Sequence, residues 1–258
     1  MTKGLSFFLV ALFLFLSCPT SAKTFLGHCR NYPPELYFEN GKCKGVIPDL
    51  VSDILSELGI KVKWQKVPWG RSIIDAQKGN VDLLIRHSMT PAREYYLNAI
   101  KYADASRTLS FFKSPNFKPD ISSYEELVKV NVGAIRGVFY SPEFSKLDFS
   151  QLTLVSETEQ LLGMLELGRI DVVVTSKSHS IYLFESNFEK VSLQDTFENP
   201  YFISIPDESK MMAYFDDISR LMLEYRQSGR VEQYFEKHLA PIPTQIFDEL
   251  DNLPNPES

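Results

Sequence analysis

The sequence predicts an α/β protein made of two similar units, each a mostly parallel sheet covered by helices. Two observations support this fold class. Amphipathic helices and short apolar strands alternate along the chain, which is typical of parallel sheets. One pattern also occurs twice, from Gly79 to Ile85 (GNVDLLI) and from Gly168 to Val174 (GRIDVVV). The repeat indicates that each half of the chain has its own α/β unit.

The first unit is predicted from Pro48 onwards. A helix runs from Pro48 to Gly59, with its apolar residues on one face, and an alternating strand follows at 60–64. A second helix begins at Pro68 and ends at Gly79, and residues 81–85 form a buried strand.

The second unit is predicted from about residue 108. Ser123 and Glu126 form a capping box ahead of a strand at 130–135, and Ser156 with Glu159 forms another ahead of a helix. After a strand at 201–205, a helical region is interrupted at Gly229, and a tail begins at Pro241. Four residues of that region share an apolar face: Ile218, Leu221, Met222 and Tyr225.

The N-terminus has the organisation of a secretion signal. An apolar run from Leu5 to Leu16 follows a basic start, and small residues up to Ala22 form a cleavage site. The run is shorter than the about 20 residues that a membrane-spanning helix needs. Cys18 raises the alternative of a lipid anchor, which the residues before it fit poorly. We expect residues 1–22 to be removed and the mature chain to begin at Lys23.

Composition and charge restrict the class of partner. The formal net charge is −6 and no long Lys/Arg block occurs, which argues against a nucleic-acid partner. Removal of the signal leaves 258 − 22 = 236 residues, enough for one large domain or two compact ones. We expect a monomer without a cofactor.

Two cysteines, Cys29 and Cys43, remain after the signal is removed. In an oxidising compartment an even pair is usually a disulfide, and the Pro-rich segment between them can turn back. We predict a structural bridge. A metal site that includes His28 is the alternative, but the sequence has no second ligand pair with zinc spacing.

The carboxyl ends of the predicted strands indicate where a ligand would bind. In open α/β sheets, ligands bind beyond these ends, which selects the loops at 86–93 and 175–179. The first loop combines two guanidinium groups with two hydroxyl groups, a set that suits a carboxylate. The alternative is that Arg93 pairs with a surface acid such as Glu94.

These residues resemble the bacterial extracellular solute-binding proteins of family 3, the polar amino-acid-binding components of ABC transporters. The resemblance covers essentially the whole mature chain. It rests on an ordered series of segments: 41–49, 67–71, 79–82, 90–93 and 168–171.

The resemblance implies a periplasmic-binding-protein type II fold with two lobes that close on a ligand. Lobe 1 would comprise residues 23–106 and 203–258, lobe 2 would comprise residues 107–202, and two hinge strands would join them. It also implies a periplasmic location and an ABC permease as the membrane partner. A membrane sensor is the alternative partner.

The resemblance also implies roles for particular residues. Arg93 is similar to the arginine that binds the ligand α-carboxylate, and Ser88 to the hydroxyl residue that assists it. Tyr32 and Trp69 look like the aromatic residues that flank the ligand side chain, with core packing as the alternative. Ser176 and the loop at Arg136 would complete the site when the lobes close.

The ammonium half of an amino-acid site is not retained. Ser176 stands where amino-acid binders of this family usually carry an aspartate. A buried ammonium without a counter-charge is costly, so we expect an anionic ligand or an amino-acid derivative without a free ammonium. Arg86 and Arg136 favour this interpretation, and Glu35 or Asp104 are candidates to replace the aspartate.

An enzymatic function has little support in the sequence. The four histidines are scattered, and no GxSxG, HExxH or P-loop pattern occurs. A few relatives of this fold are dehydratases that use one acidic residue, which leaves Glu35 as a candidate. We expect a binding protein without catalytic residues or a metal.

Overall fold

The computed structural model describes residues 22–176 and 181–243. The predicted secretion signal, apart from Ala22, lies outside this part of the chain, as do the tail beyond residue 243 and the loop residue His179. Within the described ranges, no helix combines the length and the apolar character needed to cross a membrane.

The described residues form twelve strands and eight α-helices. The strands are β1 (Lys23–Cys29), β2 (Tyr37–Glu39), β3 (Lys42–Lys44), β4 (Ile60–Lys66), β5 (Leu83–His87), β6 (Leu97–Ala103), β7 (Ser106–Lys113), β8 (Asn131–Ile135), β9 (Gln151–Val155), β10 (Val172–Ser176), β11 (Glu189–Glu198) and β12 (Tyr201–Pro206). The helices are α1 (Val46–Glu57), α2 (Trp69–Gln77), α3 (Pro91–Glu94), α4 (Tyr124–Leu127), α5 (Thr158–Glu166), α6 (Ile181–Glu185), α7 (Phe215–Gln227) and α8 (Arg230–Lys237).

Two five-stranded sheets organise the molecule. The first has the order β4-β1-β5-β12-β6, and the second has the order β11-β7-β10-β8-β9. Each sheet contains two parallel and two antiparallel pairings, so the sheets are mixed rather than mostly parallel. The reason is the connection between the sheets, because every antiparallel pairing involves β7 or β12, which follow the two crossings.

The chain passes between the sheets twice. The first crossing is at Asp104 and Ala105, between β6 and β7, and the second is at Asn199 and Pro200, between β11 and β12. The backbone N–H of Asn199 donates to the carbonyl of Ala105 at 2.7 Å, which ties the crossings together. Both crossings lie within a few residues of the predicted lobe boundaries. Tyr201, which the prediction assigned to lobe 2, pairs with β6 of the first sheet.

Helices cover both faces of the first sheet. The cluster beneath α1, α7 and α8 includes the four α7 residues predicted to share an apolar face, which are all buried. Helix α2 covers the other face, where Trp69 and Ala76 pack with Val81, Leu84 and Leu97. Gly229, with φ of 74°, separates α7 from α8, as predicted from its position.

The two predicted capping boxes have different outcomes. Ser123 caps α4 as predicted, because its Oγ accepts from the backbone N–H of Glu126 at 3.3 Å. The second box was placed one residue too early. Glu157 and Gln160 form it, and the Gln160 side-chain oxygen accepts from the Glu157 N–H at 3.0 Å. Ser156 with Glu159 and Glu157 with Gln160 both have the spacing of a capping box. The spacing alone therefore does not determine which residue caps the helix.

The predicted disulfide between Cys29 and Cys43 is confirmed. The bond joins the end of β1 to β3, with the two Cα atoms 6.1 Å apart. His28, the residue considered for a metal site, lies with its Nδ1 at 3.0 Å from Ser72 Oγ. The bridge fastens the β2–β3 hairpin to the first sheet immediately before Arg30 and Tyr32.

Replacing both cysteines by alanine should lower the free energy of unfolding by about 3 kcal/mol. The bond closes a loop with a sequence separation of 14 residues. Cross-linking a loop of this size lowers the conformational entropy of the unfolded chain, which stabilises the folded state by about 3 kcal/mol. Urea denaturation of the wild type and the double variant measures the difference. Addition of a reductant to the wild type is the control and should reproduce most of the loss; equal midpoints would contradict the prediction.

Candidate ligand-binding site

A cavity of about 640 Å³, its open mouth included, lies where the carboxyl ends of the parallel strands of both sheets meet. Loops after β1, β4 and β5 form one wall, and loops after β8 and β9 form the other. The first wall includes Arg30, Tyr32, Trp69, Arg86, Ser88 and Arg93. The opposite wall includes Val138, Phe139, Ser156, Glu157 and Thr158.

Five of the seven predicted ligand-binding residues line this cavity together. Tyr32 follows β1, Trp69 begins α2 after β4, Arg86 lies near the end of β5, and Ser88 and Arg93 follow β5. This convergence is what the rule on strand ends predicts for a binding site in an α/β sheet. Their contacts with a ligand stay predictions.

Arg136 and Ser176 lie outside the cavity. Side chains alternate along a strand, and at the end of β8 this alternation directs Ile135 towards the cavity and Arg136 to the surface. Arg136 Nη2 donates to the carbonyl of Leu154 at 3.0 Å. Ser176 is fully buried and pairs with Leu109 of β7 inside the second sheet.

Arg86 is held by an acidic partner. Its Nη2 donates to Glu35 Oε1 at 3.1 Å, its Nε donates to Glu35 Oε2, and its Cζ lies 3.7 Å from the ring centre of Tyr201. The residue is 2% exposed and has φ of 55°. Burial lowers the pKa of Arg86, but the combined effects of Glu35, Tyr201 and Tyr102 outweigh it, and the pKa lies well above its ordinary value. Arg86 is therefore a permanent cation with its own counter-charge.

The two acids expected to replace the missing aspartate are used elsewhere. Glu35 pairs with Arg86, and Asp104 Oδ2 lies 3.0 Å from Lys101 Nζ. Neither acid lines the cavity. The carboxyl group that does so is Glu157, which is exposed at the start of α5. Partial burial, followed by repulsion from Glu159, raises the pKa of Glu157.

Arg93 is a buried cation without an acidic partner among the described residues. It is 7% exposed; Nη2 donates to the carbonyl of Gly137 at 2.8 Å, and Nη1 donates to the carbonyl of Ser88. Its Cζ lies 5.2 Å from the ring centre of Trp69. Burial, with repulsion from Arg107, lowers the pKa of Arg93 to about 10, and an attraction from Tyr96 offsets part of this change. A carboxylate would supply the missing counter-charge.

Arg30 also lines the cavity and was missed in the sequence. Arg30 Nη1 donates to the carbonyl of Ile85 at 3.0 Å, and its Cζ lies 4.5 Å from the ring centre of Trp69 and 5.3 Å from that of Tyr32. Burial is the main cause that lowers its pKa to about 10. Because Arg30 directly follows β1, the rule on strand ends could have identified it.

Arg107 was missed as well, and no sequence pattern marks it. It lies at the start of β7, just after the first crossing, and is 5% exposed. Its Nη1 donates to the carbonyl of Phe139 at 2.9 Å. The crossing brings Arg107 to the cavity, and its location depends on how the two sheets are joined.

His87 is neutral at physiological pH. Its Nδ1 lies 3.1 Å from the carbonyl of Ser88, to which it donates, and its ring stacks on Trp69 with centroids 5.7 Å apart. Burial, followed by repulsion from Arg93, lowers the pKa of His87 to about 3. The positive charge on the cavity lining therefore comes from arginine side chains alone.

The two walls of the cavity touch each other at Gly137. Its carbonyl accepts from Trp69 Nε1 at 2.9 Å as well as from Arg93. Gly137 has φ of 75°, and a Cβ there would lie 3.2 Å from the Cα of Gly70. A Cβ on Gly70 would in turn lie 3.2 Å from the carbonyl oxygen of Arg136. The two walls are therefore in direct contact, and their backbones lie close together at Gly70 and Gly137.

Replacing Gly70 by alanine should open the cavity without weakening the fold. Alanine is favoured over glycine in a helix by about 1 kcal/mol, so the helix itself is not weakened. The added methyl group is too close to the opposite wall, and such overpacking costs about 1–3 kcal/mol. Small-angle X-ray scattering should give a larger radius of gyration for the variant. Gly163 in α5 is the matched control, because a Cβ there meets nothing within 4 Å. Identical scattering from wild type and Gly70→Ala would contradict the tight contact between the two walls.

The chain belongs to the bacterial extracellular solute-binding proteins, family 3, whose family model matches residues 25–241. The predicted family is thus confirmed, and with it the expectation of a protein that binds a solute. The curated proteins include no significant match to the chain.

Solved structures of similar proteins confirm the two-lobed type II fold. One is an ancestral arginine-binding protein bound to arginine (22% identity, TM-score 0.69, covering 85% of this chain and 100% of that one). A second is the substrate binding protein of an amino acid ABC transporter (20% identity, TM-score 0.65, 83% and 97% covered). A third is a histidine kinase sensor domain with similarity to periplasmic binding proteins (19% identity, TM-score 0.70, 84% and 96% covered).

Proposed function

We propose that this protein is a periplasmic receptor that captures a small carboxylate-bearing ligand without a free ammonium group. The observation that carries the proposal is the charge of the cavity wall. Arg30, Arg93 and Arg107 line the cavity, and none of them forms an ion pair with an acid in residues 22–176 or 181–243.

Unpaired buried cations favour an anionic ligand for an energetic reason. The effective cost of desolvating one ion in a protein is several kcal/mol, and an opposite charge with good hydrogen bonds offsets this cost. A carboxylate at Arg93 would therefore recover energy that the free protein lacks. A ligand ammonium would instead meet the same guanidinium groups, with the exposed Glu157 as its nearest acid on the cavity wall.

Ligand capture is coupled to closure in this proposal. Arg93 and Ser88 hold the ligand on one wall, while the loop at Gly137 contacts Arg93 from the other wall. Contacts with both walls give the ligand a higher affinity for the closed form, which is the requirement for a ligand to shift a conformational equilibrium. The crossings at residues 104–105 and 199–200 would be the hinge.

The membrane partner is proposed to be an ABC permease, as for the substrate binding protein among the similar structures. A membrane sensor is the second candidate, because the similar fold of the histidine kinase sensor domain serves that class of protein. Uptake of labelled ligand by cells with and without the gene discriminates between them. Loss of uptake supports the importer, whereas normal uptake with loss of a ligand-dependent response supports the sensor.

A dehydratase function is disfavoured by the surroundings of Glu35. An acid that protonates a leaving group has to reach the ligand, whereas both carboxylate oxygens of Glu35 accept from Arg86. The geometry thus disfavours Glu35 as a catalytic acid.

A thermal-shift screen with matched ligands tests the proposal. Each amino acid is compared with the α-hydroxy acid of the same side chain, which keeps the carboxylate and lacks the ammonium, and with the primary amide of that hydroxy acid. A ligand at 100 times its Kd stabilises the folded state by about 2.7 kcal/mol, a shift of several degrees. We expect stabilisation by hydroxy acids and none by their amides. Stronger stabilisation by neutral or basic amino acids would refute the proposed ligand class.

A further inference from the structure

We infer that Arg107 forms a second anion site and that the ligand is a dianion, with one carboxylate at Arg93 and Ser88 and a second acidic group at Arg107. This inference rests on the proposed function, since it specifies the charge of the ligand that the same cavity takes.

The location of Arg107 separates the two anion sites. Arg93 lies in α3, after β5 of the first sheet. Arg107 lies at the start of β7 of the second sheet and donates to the carbonyl of Phe139, on the wall opposite Arg93. Both residues line the same cavity. A ligand with an acidic group at each end could therefore contact both sheets through charged hydrogen bonds.

Arg107 has donor capacity that the described residues do not use. A guanidinium group carries five N–H donors in a planar fork that matches a carboxylate. Nη1 is used by Phe139, and Nε is buried without a hydrogen-bond partner among residues 22–176 and 181–243. Buried donors of this kind are rare in native structures and call for a physical explanation. An anionic ligand group next to the fork provides one.

The neighbours of Arg107 leave its charge uncompensated. Arg86 repels Arg107, and Arg107 in turn repels Arg93. The acid in its vicinity, Glu35, is already bound by Arg86 through both oxygens. Burial and this repulsion lower the pKa of Arg107, which supports the same conclusion.

Charge balance indicates how many acidic groups the ligand carries. Four guanidinium groups line the cavity: Arg30, Arg86, Arg93 and Arg107. Two carboxyl groups oppose them, Glu35 through its pair with Arg86 and Glu157 at the exposed start of α5. The excess is two positive charges. A monoanion neutralises half of this excess, whereas a dianion neutralises all of it.

Calorimetry with straight-chain dicarboxylates and their monomethyl esters tests the inference. The series from malonate to adipate varies the separation of the two acidic groups, and each half-ester keeps the chain but loses one charge. We expect at least one diacid to bind the wild type about 100-fold more tightly than its half-ester. In Arg107→Gln this preference should fall to about threefold or less, and Arg107→Lys should retain part of it. Arg220→Gln, on the exposed surface of α7 where Arg220 pairs with Asp217 and Glu224, should keep the full preference.

The outcomes separate the inference from the proposed function. Half-esters that bind the wild type as tightly as every diacid overturn the second anion site and leave the carboxylate receptor intact. A preference for the diacid that persists in folded Arg107→Gln, as judged by circular dichroism, also overturns it. If neither series binds and the thermal-shift screen finds no carboxylate that stabilises the protein, the proposed function is overturned along with the inference.

Discussion

Arg93→Ala should abolish measurable binding of the carboxylate ligand while the protein stays folded. A buried bidentate pair between a guanidinium and a carboxylate is among the strongest polar contacts in proteins. Removal of one partner of a buried charge pair at an interface costs about 2–5 kcal/mol, and each 1.4 kcal/mol is tenfold in affinity. We therefore expect a loss of affinity between about 30-fold and about 4,000-fold. The fold should persist because Arg93 donates to carbonyl groups and has no acidic partner among the described residues.

The matched control for this variant is Arg136→Ala. Both arginines were predicted as ligand contacts, but Arg136 is exposed and donates to Leu154 outside the cavity. Calorimetric titration with the hydroxy acid that gives the largest thermal shift should show wild-type affinity for Arg136→Ala and no detectable heat for Arg93→Ala. An unchanged Kd in Arg93→Ala would remove the central residue of the proposed site.

Glu35→Gln should lower the free energy of unfolding by about 3–5 kcal/mol. The substitution removes the counter-charge of Arg86, which is 2% exposed and so cannot recover its hydration in the folded state. Breaking a buried ion pair by removing one partner costs this much because the other charge stays buried and unpaired. Arg86 also repels Arg107, so the loss of Glu35 concentrates positive charge at the cavity.

A double variant isolates the cause of this effect. In Glu35→Gln combined with Arg86→Met, no unpaired charge remains, and replacement of buried pairs by apolar side chains is often neutral or stabilising. Urea denaturation should therefore show the double variant to be more stable than Glu35→Gln alone. Glu39→Gln is the surface control, because Glu39 pairs with Lys44 at an exposed site and its loss should change stability little. Equal effects of Glu35→Gln and Glu39→Gln would contradict the buried pair.

The parts of the fold that depend on local sequence could be predicted. The apolar face of α7, the interruption at Gly229 and the Ser123 cap follow from periodicity and from backbone chemistry at single positions. The mixed pairing of the sheets could not be predicted in this way. Whether β12 runs parallel or antiparallel to β5 depends on the route of the chain between the sheets, which no local pattern records.

The candidate site, like the fold, could be predicted only where it depends on local sequence. The rule on strand ends selected the loop that contains Ser88 and Arg93, and both residues line the cavity because they follow β5, which runs parallel to β1. The same rule also selected the loop at 175–179, but Ser176 is not part of the cavity lining. Arg107 was missed because the first crossing between the sheets, rather than a local sequence pattern, brings it to the cavity. Long-range geometry thus determines the charge of the site.

The most direct test of the central claim is a crystal structure of the protein with the hydroxy acid that stabilises it most. We predict that the ligand carboxylate lies within hydrogen-bonding distance of the Arg93 guanidinium, with Tyr32 and Trp69 beside the rest of the molecule. A ligand bound elsewhere, with Arg93 donating only to the carbonyls of Ser88 and Gly137, would contradict the claim that this cavity is an anion-binding site.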